Sequence, residues 1–143
     1  MILSDANILI YAYNTDAVFH KECKVWLTEQ FSKPEPFAFS WQTITAFLRI
    51  TTTPKIFPDA FSQEEVRGFV NNWLAYPNVR ILTPTERHWT IFENLLVETK
   101  IVGAKIMDAH LATLAIEYGV TLATTDRDFS AFKGLKILNP LDL

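Results

Sequence analysis

The sequence has few of the residues that mark secreted, fibrous or disordered chains. Its 143 residues include one cysteine, Cys23, so no disulfide can form within the chain. Only four glycines and seven prolines are present, whereas low-complexity chains are rich in both. A single cysteine fits a reducing compartment, and we expect a cytoplasmic protein.

Long apolar runs and an excess of positive charge are also missing. Every apolar stretch is far shorter than the about 18 residues of a membrane span, and the N-terminus does not have the pattern of a signal peptide. We therefore expect no membrane association. The formal net charge is −3, which excludes a polycation that coats nucleic acid. A role on nucleic acid would need a local basic patch or a bound metal.

What is present is enough apolar sequence for one full core. The chain is 49% hydrophobic and 13% aromatic, and its length suits one ordinary domain. Short β-rich segments alternate with longer segments of helical spacing. Strands are predicted at residues 2–4, 37–40, 79–82, 120–124 and 136–138. Helical spacing marks the residues around 25–27, 43–50, 61–74, 89–96 and 106–118.

This order of elements predicts the fold class. Strands that alternate with helices form a parallel sheet that helices cover on both faces. We expect residues 1–143 to form a single three-layer α/β/α domain with a central parallel sheet of four to five strands. Two local signals support the helix boundaries: Ser62 and Glu65 have the spacing of a capping box, and Gly119 suits the end of the last long helix.

Two aspartates directly follow predicted strands. Asp5 comes after the first strand and Asp126 after the fourth. In a parallel sheet, ligands bind beyond the carboxyl ends of the strands, near a switch in strand order. Each aspartate alone has another interpretation, because aspartate is also a good N-cap for a following helical turn.

Asp108 lies on a helix face with apolar neighbours. Helical spacing places it with Leu111, Ala112 and Ala115. A buried carboxylate costs several kcal/mol unless it is paired or bound to metal. Alternatively, Asp108 lies in the first turn and is stabilised by the helix dipole. Three acids at one edge of the sheet favour a site for Mg²⁺ or Mn²⁺, which prefer oxygen ligands.

Four motifs together resemble the PIN-domain family, in particular the VapC-type toxins of type II toxin–antitoxin systems. They occur in the family's order and span nearly the whole chain, as DANILIYA at 5–12, DAHLA at 108–112, GVTLATTDRDF at 119–129 and GLKILNP at 134–140. The resemblance implies a Mg²⁺-dependent endoribonuclease that is dimeric and is paired with an antitoxin protein. It gives the catalytic, metal-ligating roles to Asp5, Asp108 and Asp126, with Asp128 as a possible outer ligand.

The resemblance also assigns polar residues around the acids. Asn7 and Thr125 match the family's polar positions beside the cluster. Arg49 and Arg127 are candidates for contact with RNA phosphates, because each lies beside the acids in this interpretation. Either arginine can instead be an ordinary surface residue or part of a structural ion pair.

One position departs from the family pattern. The family usually has a glutamate where this chain has Ala46, and no acid occurs between Glu35 and Asp59. The metal site would then be one acid short, unless another group completes it. The candidates are water, Thr43, Thr45, Glu93 and Glu98. An alternative function is therefore a non-cleaving PIN-fold module that binds RNA or a protein through a weakened site.

The remaining aromatic and histidine residues have structural interpretations. His110 lies two residues after Asp108 and so faces another direction on the helix, which favours a structural role. Apolar periodicity predicts that three tryptophans are core or interface residues: Trp26, Trp73 and Trp89. Four further aromatic residues are expected to form an exposed surface for a homodimer or an antitoxin helix: Trp41, Phe47, Phe57 and Phe61.

Overall fold

A five-stranded parallel sheet forms the centre of the protein. The computed structural model describes all residues, 1–143. The strands are β1 (Ile2–Ser4), β2 (Phe37–Phe39), β3 (Val79–Ile81), β4 (Thr121–Ala123) and β5 (Lys136–Leu138). The helices are α1 (Ala6–Tyr13), α2 (His20–Ser32), α3 (Trp41–Thr51), α4 (Gln63–Ala75), α5 (His88–Thr99) and α6 (Lys105–Tyr118). Short 3₁₀ turns cover Arg127–Ala131 and Pro140–Asp142. All five predicted strands are confirmed.

The strand order creates a cleft between β1 and β4. The order across the sheet is β3-β2-β1-β4-β5. Strands β2 and β3 are added on one side of β1, and β4 and β5 are then added on its other side. Leu3 is in register with Ala38 of β2 and with Leu122 of β4. A reversal of this kind leaves a crevice beyond the carboxyl ends of the two strands at the switch. Asp5 follows β1, and Asp126 follows β4.

Alternation along the strands divides the apolar residues between two cores. Phe37 and Phe39 of β2 pack with helices α1 to α4, whereas Ala38 between them packs with α5 and α6. Successive side chains of a strand point to opposite faces of the sheet, which explains this division. Both faces of the sheet are therefore covered, as the three-layer prediction requires.

The ends of the helices follow the local sequence signals. The Ser62 hydroxyl accepts from the Glu65 backbone N–H at 3.1 Å, and the Glu65 carboxylate accepts from the Ser62 N–H at 3.0 Å, so the capping box is confirmed. Gly119 ends α6 with φ +65°, a conformation that costs residues with a Cβ about 1 kcal/mol or more. No helix combines the length and the apolar character that a membrane crossing requires.

The prediction that four aromatic residues form an exposed surface is wrong for three of them. Phe47 and Phe57 are buried and Phe61 is half-buried. Phe47 is buried because its ring packs 4.8 Å from the centroid of Trp73 on α4. Trp41 alone remains largely exposed, at 53%.

Two of the three tryptophans that were predicted to be core or interface residues are core residues. Trp26 and Trp73 are buried, whereas Trp89 on α5 is 61% exposed and is not part of the core. Trp89 faces solvent because helix α5 turns it away from the sheet and buries Leu95 instead.

A buried carboxylate joins α5 to α6. Glu117 accepts hydrogen bonds from the Thr85 N–H at 3.2 Å and the Thr85 hydroxyl at 2.7 Å. The His88 ring bonds to the same carboxylate through Nδ1 at 2.7 Å and to His110 through Nε2 at 3.0 Å. Burial lowers the pKa of His110, and the charge of His88 acts in the same direction. His110 therefore takes part in a structural network, in agreement with the sequence interpretation.

Candidate metal and active site

Asp5 is both a helix cap and a residue of the cleft. One carboxylate oxygen accepts from the Ala6 N–H at 2.7 Å and so caps α1, and the other accepts from the Thr124 hydroxyl at 2.8 Å. Burial raises the pKa of Asp5 to about 6, against the opposing effect of these hydrogen bonds. The charges of Asp108 and Asp126 raise it further. The N-cap interpretation of Asp5 is therefore confirmed, and its position at the cavity is the one that the ligand interpretation requires.

Thr124 connects the residues that surround Asp5. It is buried, and its hydroxyl donates to Asp5 while accepting from the Asp126 N–H at 3.0 Å and the Asn7 side-chain amide at 3.4 Å. The sequence analysis named the neighbouring Thr125 as a polar residue beside the acids and did not single out Thr124. The local signal was the Thr-x-Asp spacing, because a threonine hydroxyl often accepts from the backbone N–H two residues later.

Asn7 has an unpaired oxygen in this region. Its side-chain Oδ1 is buried and has no hydrogen-bond partner, while its amide nitrogen bonds to Thr124. A buried polar atom without a partner costs about 1–3 kcal/mol. An oxygen of this kind suits a water molecule or a hard cation with its hydration shell. The predicted position of Asn7 beside the acids is consistent with this geometry.

Asp108 projects from the first turn of α6 into a cavity of about 530 Å³ that Asp5 also lines. Burial raises the pKa of Asp108, and the nearby charge of Asp126 adds to this. The charge of Lys105 lowers the pKa of Asp108 and so opposes both effects. The Asp108 carboxyl accepts no hydrogen bond that would lower it further. The first turn of α6 is where the helix dipole stabilises an acid, as the alternative interpretation expected. The carboxyl nevertheless accepts no hydrogen bond from the protein, which leaves its oxygen atoms available to a ligand in the cavity.

Asp126 and Asp128 lie on the 3₁₀ turn that follows β4. The Asp126 carboxylate accepts from the Asp128 N–H at 2.9 Å and so caps this turn. The Asp128 side chain is exposed and forms an ion pair with Lys105, which raises the pKa of Lys105. Lys105 therefore pairs with the outer acid and only partly balances the charge of Asp108.

The two arginines have different surroundings. Arg49 lines the same cavity as Asp5 and Asp108 and belongs to no ion pair. The Arg127 guanidinium donates to the Asp142 carboxylate at 3.2 Å, although Arg127 also borders the clefts beside Asp126 and Asp128. Arg49 is thus the arginine that is available to an anion without breaking an existing pair.

The structure places Ala46 in the cavity with Asp5 and Asp108, so the position is near the acids as the resemblance implies. Thr45 is exposed and also lines the cavity. Glu93 and Glu98 are exposed on α5 and do not line the cavity. Neither glutamate replaces the missing acid in this conformation.

The chemistry of these residues fits a hard divalent cation. The charges of Asp108 and Asp126 raise the pKa of Asp5, the charge of Asp126 raises that of Asp108, and a cation would relieve this repulsion. The unpaired Asn7 oxygen adds a neutral acceptor. No three His, Cys, Asp or Glu side chains converge closely enough to hold an ion as they stand. Because like charges repel, we expect a cation to draw these carboxylates closer together.

The raised pKa of Asp5 predicts how the metal-free protein responds to pH. A carboxyl whose pKa is raised on folding stabilises the fold fully below its unfolded pKa of about 4, and this stabilisation is lost as pH rises through about 6. The Asp5→Asn variant carries an amide at this position, which does not ionise, so the variant does not lose this stabilisation as pH rises. In EDTA, we expect the variant's free energy of unfolding relative to wild type to increase by about 2–3 kcal/mol between pH 4 and pH 7.5.

Urea unfolding at the two pH values measures this difference, and added Mg²⁺ provides the comparison. A bound cation favours the charged form of Asp5, so saturating Mg²⁺ should stabilise wild type more than the variant at pH 7.5. A difference in stability that is the same at both pH values would show that Asp5 does not titrate in this range.

Comparison with known proteins gives a consistent set of matches. The family model described as PIN domain matches residues 2–135. Ribonuclease VapC37 of Mycobacterium tuberculosis is 35% identical over 136 residues, which is 95% of this chain and 94% of that protein. Ribonuclease VapC43 of the same species is 32% identical over 142 residues, or 99% of this chain and 97% of that protein.

Solved structures show the same fold. VapBC2 from Rickettsia felis, bound to a DNA fragment from its promoter, matches with a TM-score of 0.72 at 20% identity, over 97% of this chain and 98% of that one. The sarcin–ricin loop cleaving toxin VapC20 of M. tuberculosis matches with a TM-score of 0.67 at 17% identity, over 95% of this chain and 99% of that one.

Proposed function

Because this chain belongs to the PIN-domain family and is a homologue of VapC ribonucleases over nearly its full length, we propose that it is a metal-dependent endoribonuclease whose site is formed by Asp5, Asp108 and Asp126. The observation that carries this proposal is the cavity beside the carboxyl end of β1, between α3 and α6, where the partly buried Asp108 carboxyl accepts no hydrogen bond and shares the space with Asp5. Mg²⁺ or Mn²⁺ is the expected cation, because the donors are hard oxygen atoms.

The side chains have distinct tasks in this proposal. A divalent cation, when bound, supplies an activated water and neutralises the phosphate oxygens. Asp5, Asp108 and Asp126 would hold the cation, and Asp128 would support it from outside. Thr124 fixes the orientation of Asp5 through its 2.8 Å hydrogen bond. A carboxylate of this set can accept the proton of the attacking water.

Two neighbouring residues complete the site on the substrate side. Arg49, which has no acidic partner, is placed to neutralise a phosphate group in the cavity. The buried oxygen of Asn7 can accept a hydrogen bond from a water molecule that enters with the RNA. Thr125 and Arg127 remain predicted substrate contacts, and Arg127 borders the clefts beside Asp126 and Asp128.

The biological setting forms part of the same proposal. Several of the similar solved structures are toxin–antitoxin complexes, and we propose that this protein is the toxin of such a pair and binds a cognate antitoxin. A homodimer is also expected. The single cysteine favours a cytoplasmic location.

Cleavage of a structured RNA pool tests the function. The purified protein, free of antitoxin, is incubated with the pool in Mg²⁺ or Mn²⁺ and, as a control, in EDTA. We expect internal cuts that require the cation, together with binding of Mn²⁺ measured by calorimetry. A folded protein that binds RNA with the same affinity in EDTA and in Mn²⁺, and cuts in neither, would instead be a non-cleaving module.

Ala46→Glu is expected to strengthen metal binding. The substitution adds a carboxylate to a cavity that Asp5 and Asp108 line, and a further charged oxygen ligand raises the affinity of a site for a hard cation. We expect the Kd for Mn²⁺ to fall by about 10-fold, or about 1.4 kcal/mol, in a calorimetric titration. Asn71→Glu adds the same charge at an exposed position of α4 and serves as the control. Equal affinities in the two variants would place Ala46 outside the metal site.

A further inference from the structure

Trp41 is a large aromatic side chain that the fold leaves uncovered at the acidic cavity. It is the first residue of α3 and is 53% exposed, although it lines the same cavity as Asp5 and Asp108. Neither the core nor a neighbouring aromatic ring accounts for its position, since Trp41 belongs to neither hydrophobic cluster. Its exposed surface therefore faces whatever enters the cavity.

The wall that carries Trp41 is held in place by hydrogen bonds. The Gln42 side-chain amide donates to the Met107 carbonyl oxygen at 3.2 Å and so ties the start of α3 to the start of α6. Ser40 caps α3 by accepting from the Thr43 N–H at 3.1 Å. Met107 is also 53% exposed and lines the same cavity. Two apolar side chains thus stand on a fixed wall beside the acids, which is the arrangement of a preformed binding surface.

Positive charge without a partner continues from this cavity across α3. Arg49 lines both this cavity and a neighbouring one of about 480 Å³, which Arg67 of α4 also lines. Neither guanidinium belongs to an ion pair, because the pairs of the protein are His88–Glu117, Lys105–Asp128 and Arg127–Asp142. Thr45 also lines both cavities. A polyanion that leaves the acidic site in this direction therefore meets two unpaired cations.

We propose that this surface is a subsite for single-stranded RNA, in which an unpaired base stacks on Trp41 beside Met107 and the adjoining phosphates follow Arg49 to Arg67. The inference rests on the proposed ribonuclease function and names the residues of this chain that would contact the RNA beside the acids. A base within a duplex has both faces covered by its neighbours, so only an unpaired base can offer a face to the indole. The free arginines favour RNA over an apolar protein surface as the occupant, because they complement phosphate.

Binding of a short, fluorescently labelled single-stranded RNA of mixed sequence tests the subsite. The assay uses anisotropy in EDTA, so that no cutting occurs. We expect Trp41→Leu to raise the Kd by roughly 5- to 100-fold, the effect of losing one base–aromatic stack, and Trp41→Phe to retain most of the affinity. Trp89→Leu is the matched control, because Trp89 is exposed to a similar extent, 61% against 53%, but lies on α5 outside the cavity. It should leave the Kd unchanged.

Two further arms separate stacking from a general loss of contact. An RNA that lacks the base expected to stack on Trp41 should bind wild type more weakly than the intact RNA does. The same RNA should bind Trp41→Leu no more weakly than the intact RNA does, because the stack is already absent. The duplex form of the same RNA should bind wild type and Trp41→Leu equally. In cleavage assays with Mg²⁺, Trp41→Leu should raise KM and leave kcat nearly unchanged.

The outcomes distinguish this inference from the proposed function. Wild type that cuts single-stranded RNA while Trp41→Leu has an unchanged Kd and KM would overturn the subsite alone. Equal weakening of single-stranded and duplex RNA would also overturn it. A change in association state on size-exclusion chromatography without a change in RNA affinity would assign Trp41 to a protein interface. Failure of wild type to bind or cut any RNA would overturn both proposals.

Discussion

Asp108→Asn is expected to reduce metal-dependent RNA cleavage by about 10²- to 10⁴-fold, the range associated with loss of a group that positions or accepts a proton at the reacting centre. The substitution keeps the size of the side chain and removes its charge. Asp108 accepts no hydrogen bond from the protein, so its replacement breaks no structural contact. The loss of activity should therefore appear without a loss of stability.

This separation makes Asp108 a sharper test than Asp5, which also caps α1. Removing one of several repelling carboxylates should leave the melting temperature of the metal-free protein unchanged or raise it. Single-turnover cleavage and thermal melting in EDTA are measured on the same sample. Asp59→Asn, at an exposed loop position, is the control and should retain full activity. Near-normal cleavage by Asp108→Asn would remove this residue from the active site.

Glu117→Ala is expected to lower the free energy of unfolding by about 3–5 kcal/mol, the typical cost of removing one partner of a buried, hydrogen-bonded pair. The Glu117 side chain is fully buried and His88 is 12% exposed, so water cannot replace the missing carboxylate. The N–H and hydroxyl of Thr85 would also lose their acceptor. The expected loss is a large part of the about 5–15 kcal/mol that stabilises a typical domain.

Urea denaturation followed by circular dichroism measures the effect of Glu117→Ala. Glu98→Ala on α5 is the matched control, because it removes the same side chain from an exposed helical position. That control should change stability by no more than about 0.5 kcal/mol. A similar small change in Glu117→Ala would mean that the network between α5 and α6 relaxes without cost.

The arrangement of the fold was predictable because it depends on local patterns. Alternation of short β-rich runs with helical spacing indicated the parallel sheet, and the five strands occur where these runs lie. Ser62 with Glu65, and Gly119, marked helix ends through hydrogen bonds that involve residues close in sequence. Such patterns depend little on tertiary contacts, since they involve only groups within a few residues of one another along the chain.

The exposure of individual aromatic residues was less predictable. Phe47 was expected at the surface but is buried, because Trp73 lies against it although 26 residues separate the two in sequence. Trp89 shows the opposite change: its spacing resembles that of a core residue, yet α5 directs it to solvent. Periodicity gives the face of a helix but not which neighbour, if any, covers that face.

The candidate site was partly visible in the sequence for a similar reason. Asp5 and Asp126 follow strands, so their position at one edge of the sheet was a consequence of the fold class. The role of Thr124 was not visible, because its hydroxyl reaches Asp5, a residue 119 positions away in the chain. The pairing of Lys105 with Asp128 rather than Asp108 likewise depends on how α6 packs beside the turn after β4.

The sequence by itself determined where the five strands and helices α2 to α6 lie along the chain, the capping box of α4, the glycine that ends α6 and the residue types at the carboxyl ends of β1 and β4. Helix α1 was not among the helices that the spacing predicted. The tertiary structure alone decided which side chains share the cavity: it placed Ala46, Arg49 and Trp41 of α3 beside Asp5 and Asp108. The reason is physical. Local spacing fixes backbone geometry within an element, whereas contacts between elements depend on packing and burial across long separations in the chain.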